Sequence, residues 1–408
     1  MKIGGMKPFV NGDLAGLRWN ISWEDSSRPD LEAYIAVPAR RGHLIAPNDH
    51  VSLLGALPTA ARYGEKTLSV PSADPWLLEG LEVVQTYFKL WQQIEPVAIQ
   101  SNAVRSAELD DKRGSAVFLS GGIDSLSTLR RNTELFPAGH VGRVTHALHV
   151  DLAGPEKLAD LGESISEREM MFVHSLEKAG ADVGVEVVPV VTNLRALDGY
   201  DFNTDWMFHS HGTVLAAVAH AFDKAFCRVL IASSYDAEHL SPWGSHPLID
   251  GRLSSSTFAI THHNEQYSRQ GKVEIVAGWP AGLESLDVCF EWFDREAGQR
   301  NCGECEKCQR TIAGLLIAGV DPASTGAFER TRFDAQTLGV FGRFADEYER
   351  ESWLDIEAGL QKIGHPAAAT VTARIRRDNL SKRLDNPVTR GLLKPAKAAY
   401  GLVRKYRK

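Results

Sequence analysis

Residues Ser115–Arg131 read SAVFLSGGIDSLSTLRR. The run SAVFLS has the pattern of a short buried strand, and SLSTLRR begins a helix. Between them lies SGGIDS, Ser120 to Ser125. Two adjacent glycines, Gly121 and Gly122, let the backbone turn tightly and approach a ligand with no Cβ in the way. The free N–H groups of the following helix then face an anion, and the helix dipole favours negative charge there. Ser120 and Ser125 add hydroxyl donors, and Asp124 can hold the Mg2+ that accompanies a triphosphate. The competing reading is a plain glycine turn with an Asp/Ser helix cap. Strand, loop and helix fall in the order a phosphate site needs, which favours the functional reading.

Working outward, strands and helices alternate from about Ser115 to Val320. THALHVDL, VEVVPVV and RVLIASS read as strands; SLSTLRRNTELF, EREMMFVHSLEKAGA and TVLAAVAHAFDKA read as helices. Such alternation predicts parallel strands with helices on both faces. Before it, Leu17, Trp19, Ile21 and Trp23 alternate with polar or small residues, and EAYIAVP and KTLSVP look like strands ended by proline. Asp74-Pro75 opens an apolar-striped helix, WLLEGLEVVQTYFKLWQQI, and polar SNAVRSAELDDKRGS follows as a linker. The expected class is α/β. A parallel-sheet core with its metal site spans 113–322. A small α+β unit, 1–112, precedes it, and a helical region with a basic tail, 323–408, follows.

Cys289, Cys302, Cys305 and Cys308 form C-x12-C-x2-C-x2-C. Two-residue spacers let consecutive thiolates converge on one tetrahedral Zn2+, and the distant cysteine closes the site. Four protein ligands leave no open position, so the metal is expected to be structural. An iron–sulfur cluster and a redox thiol pair are the rival readings. Cys227 reads as a buried small hydrophobe. Metal-site spacing in place of a disulfide framework argues for the cytoplasm. The 408 residues are 43% hydrophobic and 24% charged, as in ordinary globular proteins. The opening MKIGGMKPFVNGD has no apolar stretch after its lysines, so a secretory signal is not expected, and no apolar run approaches the length that crosses a bilayer. Charge is uneven. Val371–Lys408 holds twelve Lys and Arg against two Asp, +10, which leaves −17 for the rest of a chain whose net charge is −7. The tail carries RIRR at Arg374–Arg377 and RKYRK at Arg404–Lys408, with Leu392, Leu393, Tyr400, Leu402 and Val403 interleaved, and reads first as a solvated basic helix packing one apolar stripe. Among functional readings, docking on a protein partner encoded in the same operon is favoured over an anionic membrane or nucleic acid. The acidic body argues against nucleic acid.

SGGIDS resembles the SGGxDS signature of the PP-loop ATP pyrophosphatases. Together with the later cysteine group it is similar to the 7-cyano-7-deazaguanine synthase family, over roughly the 200 residues from Ser115 to Val320. The resemblance implies a fold of the adenine-nucleotide alpha-hydrolase kind, with ATP as cofactor. The loop would hold the β and γ phosphates while a substrate carboxylate or amide oxygen attacks the α phosphorus. RQGKVEIVAG looks like the family's segment that presents a lysine before a helix, which makes Lys272 a candidate phosphate or leaving-group ligand, the alternative being a solvated lysine with no role. Asp236 follows strand RVLIASS, at the carboxyl edge where ligands of open sheets bind, and is a candidate for a second magnesium role or a turn cap. His246, in the loop WGSHPLID, is a candidate general acid or base, and His209 and His211 are candidates for the same cleft. Asp250 and Arg269 are weaker candidates, expected to pair with each other or with solvent.

The match has gaps. HVDLAGPEK replaces the family's GQ-R-H-type element, and its RN motif has no counterpart. FHSHGT and SPWGSHPLID stand instead. A different acceptor is therefore expected, either a deazaguanine-type small molecule or a protein. The family's 7-carboxy-7-deazaguanine should be turned over poorly. No cysteine precedes Cys227, which argues against a fused glutamine amidotransferase. The leading expectation is an adenylating ligase that releases AMP and pyrophosphate. Relatives in antiphage loci suit a protein acceptor. The alternatives are a tRNA-modifying PP-loop enzyme and a non-catalytic ATP-bound effector or assembly protein.

Overall fold

The computed structural model describes residues 1–104, 113–199, 202–289, 300–334, 337, 338, 344 and 347–384. These fall into two compact units. One spans Met1–Val288, and the other holds Cys289 and the chain from Arg300 onward. The expected boundaries at 112/113 and 322/323 each lie inside one of these units.

The first unit is built on one eleven-stranded sheet. Its strands are β1 Lys2–Ile3, β2 Lys7–Asn11, β3 Leu14–Ser22, β4 Leu31–Pro38, β5 Thr67–Ala73, β6 Ala98–Val104, β7 Gly114–Phe118, β8 Val144–Asp151, β9 Glu186–Thr192, β10 Phe226–Ala232 and β11 Ala259–His263. The order is β11-β10-β7-β8-β9-β4-β3-β1-β5-β6, with β2 beside β3. The five strands from β11 to β9 run parallel. β4 then joins β9 antiparallel, pairing Ile35 with Thr192 and Ala36 with Val191. That seam makes the N-terminal strands part of the same sheet, which is why no separate α+β unit stands apart.

Local chemistry explains the elements. In β3, Leu17, Trp19 and Ile21 are buried while Arg18 and Asn20 are exposed, the period of a half-buried strand. Helix α2, Pro75–Gln92, starts where Asp74 accepts a hydrogen bond from the Trp76 N–H, with Pro75 in its first turn. Helix α1, Asp49–Arg62, is buried from His50 to Ala61. The supposed linker is in part β6, paired parallel with β5 from Thr67–Ala98 to Ala73–Val104. The remaining helices of this unit are α3 Ile123–Leu135, α4 Glu167–Val183, α5 His211–His220, α6 Arg269–Ala277 and α7 Pro280–Glu284. Cys227 is half-buried rather than fully so, with its thiol toward the Gly114 carbonyl at 3.4 Å.

The second unit contains α8 Glu306–Ile317, α9 Glu347–Lys362 and α10 Ala368–Leu384. Its core gathers Ala313, Trp353, Ile356, Leu360, Val371 and Ile375. Arg374, expected in a solvated basic face, is buried. It donates to Glu349 at 2.8 Å and lies over the rings of Phe344 and Trp353 at 4.4 and 4.6 Å. One face of the first part of the supposed tail is therefore core, with Val371, Arg374 and Ile375 buried, while Arg376 and Arg377 stay exposed. The apolar residues singled out beyond it, Leu392 to Val403, lie outside the described residues. No described helix is long and apolar enough to cross a membrane.

Candidate functional site

The chain leaves β7 toward β8 and β9 on one side and returns to β10 and β11 on the other. β7 is thus the switch point of the parallel region, and crevices of open sheets form at the carboxyl ends of such strands. SGGIDS sits there, running from just past β7 into the first turn of α3. Gly121 has φ +76°, a conformation that favours glycine, and its carbonyl accepts the Asp287 N–H at 2.8 Å. Gly122 is the helix cap with extended backbone. The Ser125 hydroxyl donates to the Gly122 carbonyl at 3.0 Å and accepts the Ser120 N–H at 3.2 Å, which closes the loop on itself. Ser120 is exposed and Ser125 buried.

Asp124, in the first turn of α3, receives Arg269 Nη1 on both carboxylate oxygens at 3.1 Å. Lys272 Nζ lies 3.5 Å from the same carboxylate and donates to the Ser233 carbonyl, just past β10, at 2.6 Å. Arg269 therefore pairs with Asp124, not with Asp250. Lys272 lies inside α6 rather than before a helix, and its side chain has no exposure. A solvated lysine is excluded. Burial pushes its pKa below the ordinary lysine range, opposed by Asp124 and assisted by Arg269. Asp236 is buried nearby and acts as a turn cap. Its Oδ1 accepts the N–H groups of Glu238 and His239 at 3.1 Å and the His239 ring at 2.7 Å.

His246 belongs to a second group. Its backbone N–H donates to Asp250 Oδ1 at 3.1 Å, and its Nδ1 accepts the Leu248 N–H at 3.1 Å. The ring lies against Trp91, with centroids 5.0 Å apart. Asp250 Oδ2 accepts Ser245 Oγ at 2.6 Å and His262 Nδ1 at 2.7 Å. His211 donates from Nδ1 to the Trp206 carbonyl at 3.1 Å. Burial holds His211 and His246 below the usual histidine range. His209 packs on Phe88, and burial takes its pKa down to about 3.

In the second unit, all four sulfurs of Cys289, Cys302, Cys305 and Cys308 lie within 4.8 Å of one another. Three separations are 3.4, 3.8 and 3.9 Å. A tetrahedron with Zn–S bonds of ~2.3 Å has edges of about 3.8 Å, so the donor set fits one tetrahedral ion. Cys302 Sγ accepts the Glu304 and Cys305 N–H groups at 3.3 and 3.2 Å, and sulfur donors led by Cys289 pull its pKa down. Such N–H bonds are the supporting shell of a metal knuckle. Gly303 makes the turn at φ +73°, and Cys305 caps α8. The cluster can hold a metal ion such as zinc and leaves no ligand position free.

Sequence reasoning under-rated Arg269, whose partner Asp124 lies far along the chain, and Asp250, which gathers Ser245, His246 and His262 from nearby in the sequence. It missed His149, Glu169, Ser233 and His262, for which no local spacing gives a signal. The chain matches no protein-family profile, no curated protein and no solved structure.

Proposed function

We propose that this protein binds ATP at the SGGIDS loop and transfers AMP to a substrate oxygen, releasing pyrophosphate, in the manner of the PP-loop synthases it resembles. The observation that carries this reading is Lys272. Its fully buried side chain and Arg269 both sit on Asp124 beside the loop, at the carboxyl edge of a switch-point strand, so two cations converge where a triphosphate would bring its charge. The attacking oxygen forms a bond to the α phosphorus, and the bond from that phosphorus to the bridging oxygen breaks. Negative charge gathers on the departing pyrophosphate, where the loop N–H groups, Arg269 and Lys272 neutralise it. Both cations sit on Asp124. Transfer of one of them to the phosphates would free the carboxylate for Mg2+, which is otherwise held chiefly by phosphate oxygens. The acceptor is a small molecule or a protein, and zinc in the four-cysteine cluster keeps a structural role.

Asp124→Asn keeps the volume and removes the charge that Arg269 and Lys272 share. It should abolish ATP turnover while circular dichroism remains that of the wild type. Full turnover in that variant would remove Asp124 from the reaction.

A further inference from the structure

His149 lies near the end of β8, in the run VTHALHVD, and is buried. Its Nδ1 is 2.9 Å from the Leu119 carbonyl oxygen, and its Nε2 is 2.6 Å from Glu169 Oε1. A backbone carbonyl and a carboxylate are both acceptors only, and a neutral imidazole has a single N–H. Both bonds form together only if the ring carries two protons. Leu119 is the residue directly before Ser120, and its own N–H is bonded to the Leu148 carbonyl at 2.9 Å. Glu169 is the third residue of α4, whose cap Ser166 accepts the Glu169 N–H at 3.2 Å. In a Ser-x-x-Glu start the carboxylate commonly turns back to the cap N–H. Here it reaches His149 instead.

We propose that His149 is a positioning residue for the SGGIDS loop, a buried imidazolium that ties the root of the loop to α4 while it holds its second proton. Among the described residues, the groups that face it are the Leu119 carbonyl just past β7, Glu169 and the Phe172 ring from α4, and Asp151 further along β8. Burial by itself lowers the pKa of the ring. The bond and charge of Glu169 outweigh it, with smaller help from Leu119 and Asp151, so the pKa lies above the ordinary 6.5. The clamp is therefore fully formed below pH 6.5 and is lost as pH rises through the higher folded value. Once neutral, the ring turns a lone pair toward one of the two acceptors, and the tie between the loop root and α4 is broken at Leu119 or at Glu169.

The clamp itself needs no nucleotide; only its relevance to ATP rests on the function proposed above. The test uses the full chain labelled with 15N-histidine and 15N-glycine, observed by NMR across pH. His149 is assigned through His149→Gln or, should that variant not fold, through the changes in Glu169→Gln. In the wild type, both nitrogens of His149 should be protonated at pH 7. The ring should titrate above the ordinary range, and the Gly121 and Gly122 amide signals should shift with the same midpoint. Glu169→Gln offers an amide N–H that a neutral ring can accept, so the midpoint should move down in that variant. A neutral His149 at pH 7, an unchanged midpoint in Glu169→Gln, or loop glycines that ignore the titration would each overturn the proposal. Absence of ATP binding in a protein that passes this test would count against the nucleotide reading alone.

Discussion

The two loop glycines do different work, and single alanine substitutions separate them. At Gly122 the backbone has φ −73°, which any residue adopts, and an added Cβ would meet only Ser120 Oγ at 3.5 Å and the Asp287 carbonyl at 3.8 Å. The loss of chain freedom in the unfolded state and the poorer cap nearly cancel, so Gly122→Ala should change stability by less than about 0.5 kcal/mol. At Gly121, φ is +76° and a Cβ would lie 3.2 Å from Leu176 Cδ2 and the Ser285 carbonyl, and 3.3 Å from Asp287 Cβ. The left-handed conformation alone costs a residue with a side chain about 1–2 kcal/mol, a fall in Tm of roughly 2–8 °C for a unit near this size. If phosphate approaches the Gly122 backbone, the new methyl group fills the space it needs. Gly122→Ala should then lose about tenfold or more in Mg-ATP affinity, at least ~1.4 kcal/mol, with little change in Tm. Thermal melts and titration calorimetry on both variants decide the matter. Wild-type ATP affinity in Gly122→Ala would refute the idea that an anion meets the loop there.

Purified protein should carry about one zinc per chain by metal analysis, and Cys305→Ser should lose the metal and unfold at a markedly lower temperature. Iron–sulfur absorbance, or unchanged stability without metal, would refute that assignment. His209 should cause loss of stability in acid. Its folded pKa of about 3 lies below the usual 6.5, so the unfolded chain binds more protons between these values. Stability should fall by up to about 1.4 kcal/mol per pH unit on going down from pH 6.5 toward 3. His209→Leu should flatten that limb of the pH–stability curve, and an unchanged slope would assign the effect to other groups.

Much of the parallel region was legible because β7 to β10 are short apolar runs, each followed by a polar or glycine-containing turn. α2 was legible from Asp74-Pro75 and its stripe. α1 was not, since a helix buried from His50 to Ala61 shows no polar face and carries Pro58 within it. β6 read as linker because nearly all of AIQSNAV is exposed, so the alternation that marks a half-buried strand is absent. The β4–β9 seam joins residues more than 150 positions apart, and no local pattern encodes such a pairing. At the candidate site, the glycine loop and the cysteine spacing were visible because each is a contiguous motif. The pairing of Arg269 with Asp124 and the two hydrogen bonds of His149, to Leu119 and to Glu169, depend on tertiary contacts. Arg376 and Arg377 are exposed as a basic run suggests, but charge alone does not reveal that Arg374 lies between Glu349 and two aromatic rings.

The central claim is cleavage of ATP between its α and β phosphates. The full-length protein, incubated with α-labelled ATP, Mg2+ and candidate acceptors, should convert label to AMP or an AMP-linked acceptor, with pyrophosphate released in equal amount. Lys272→Met, which removes the buried ammonium, should suppress both products. Label recovered as ADP with free phosphate, or ATP left intact with every acceptor, would contradict the claim.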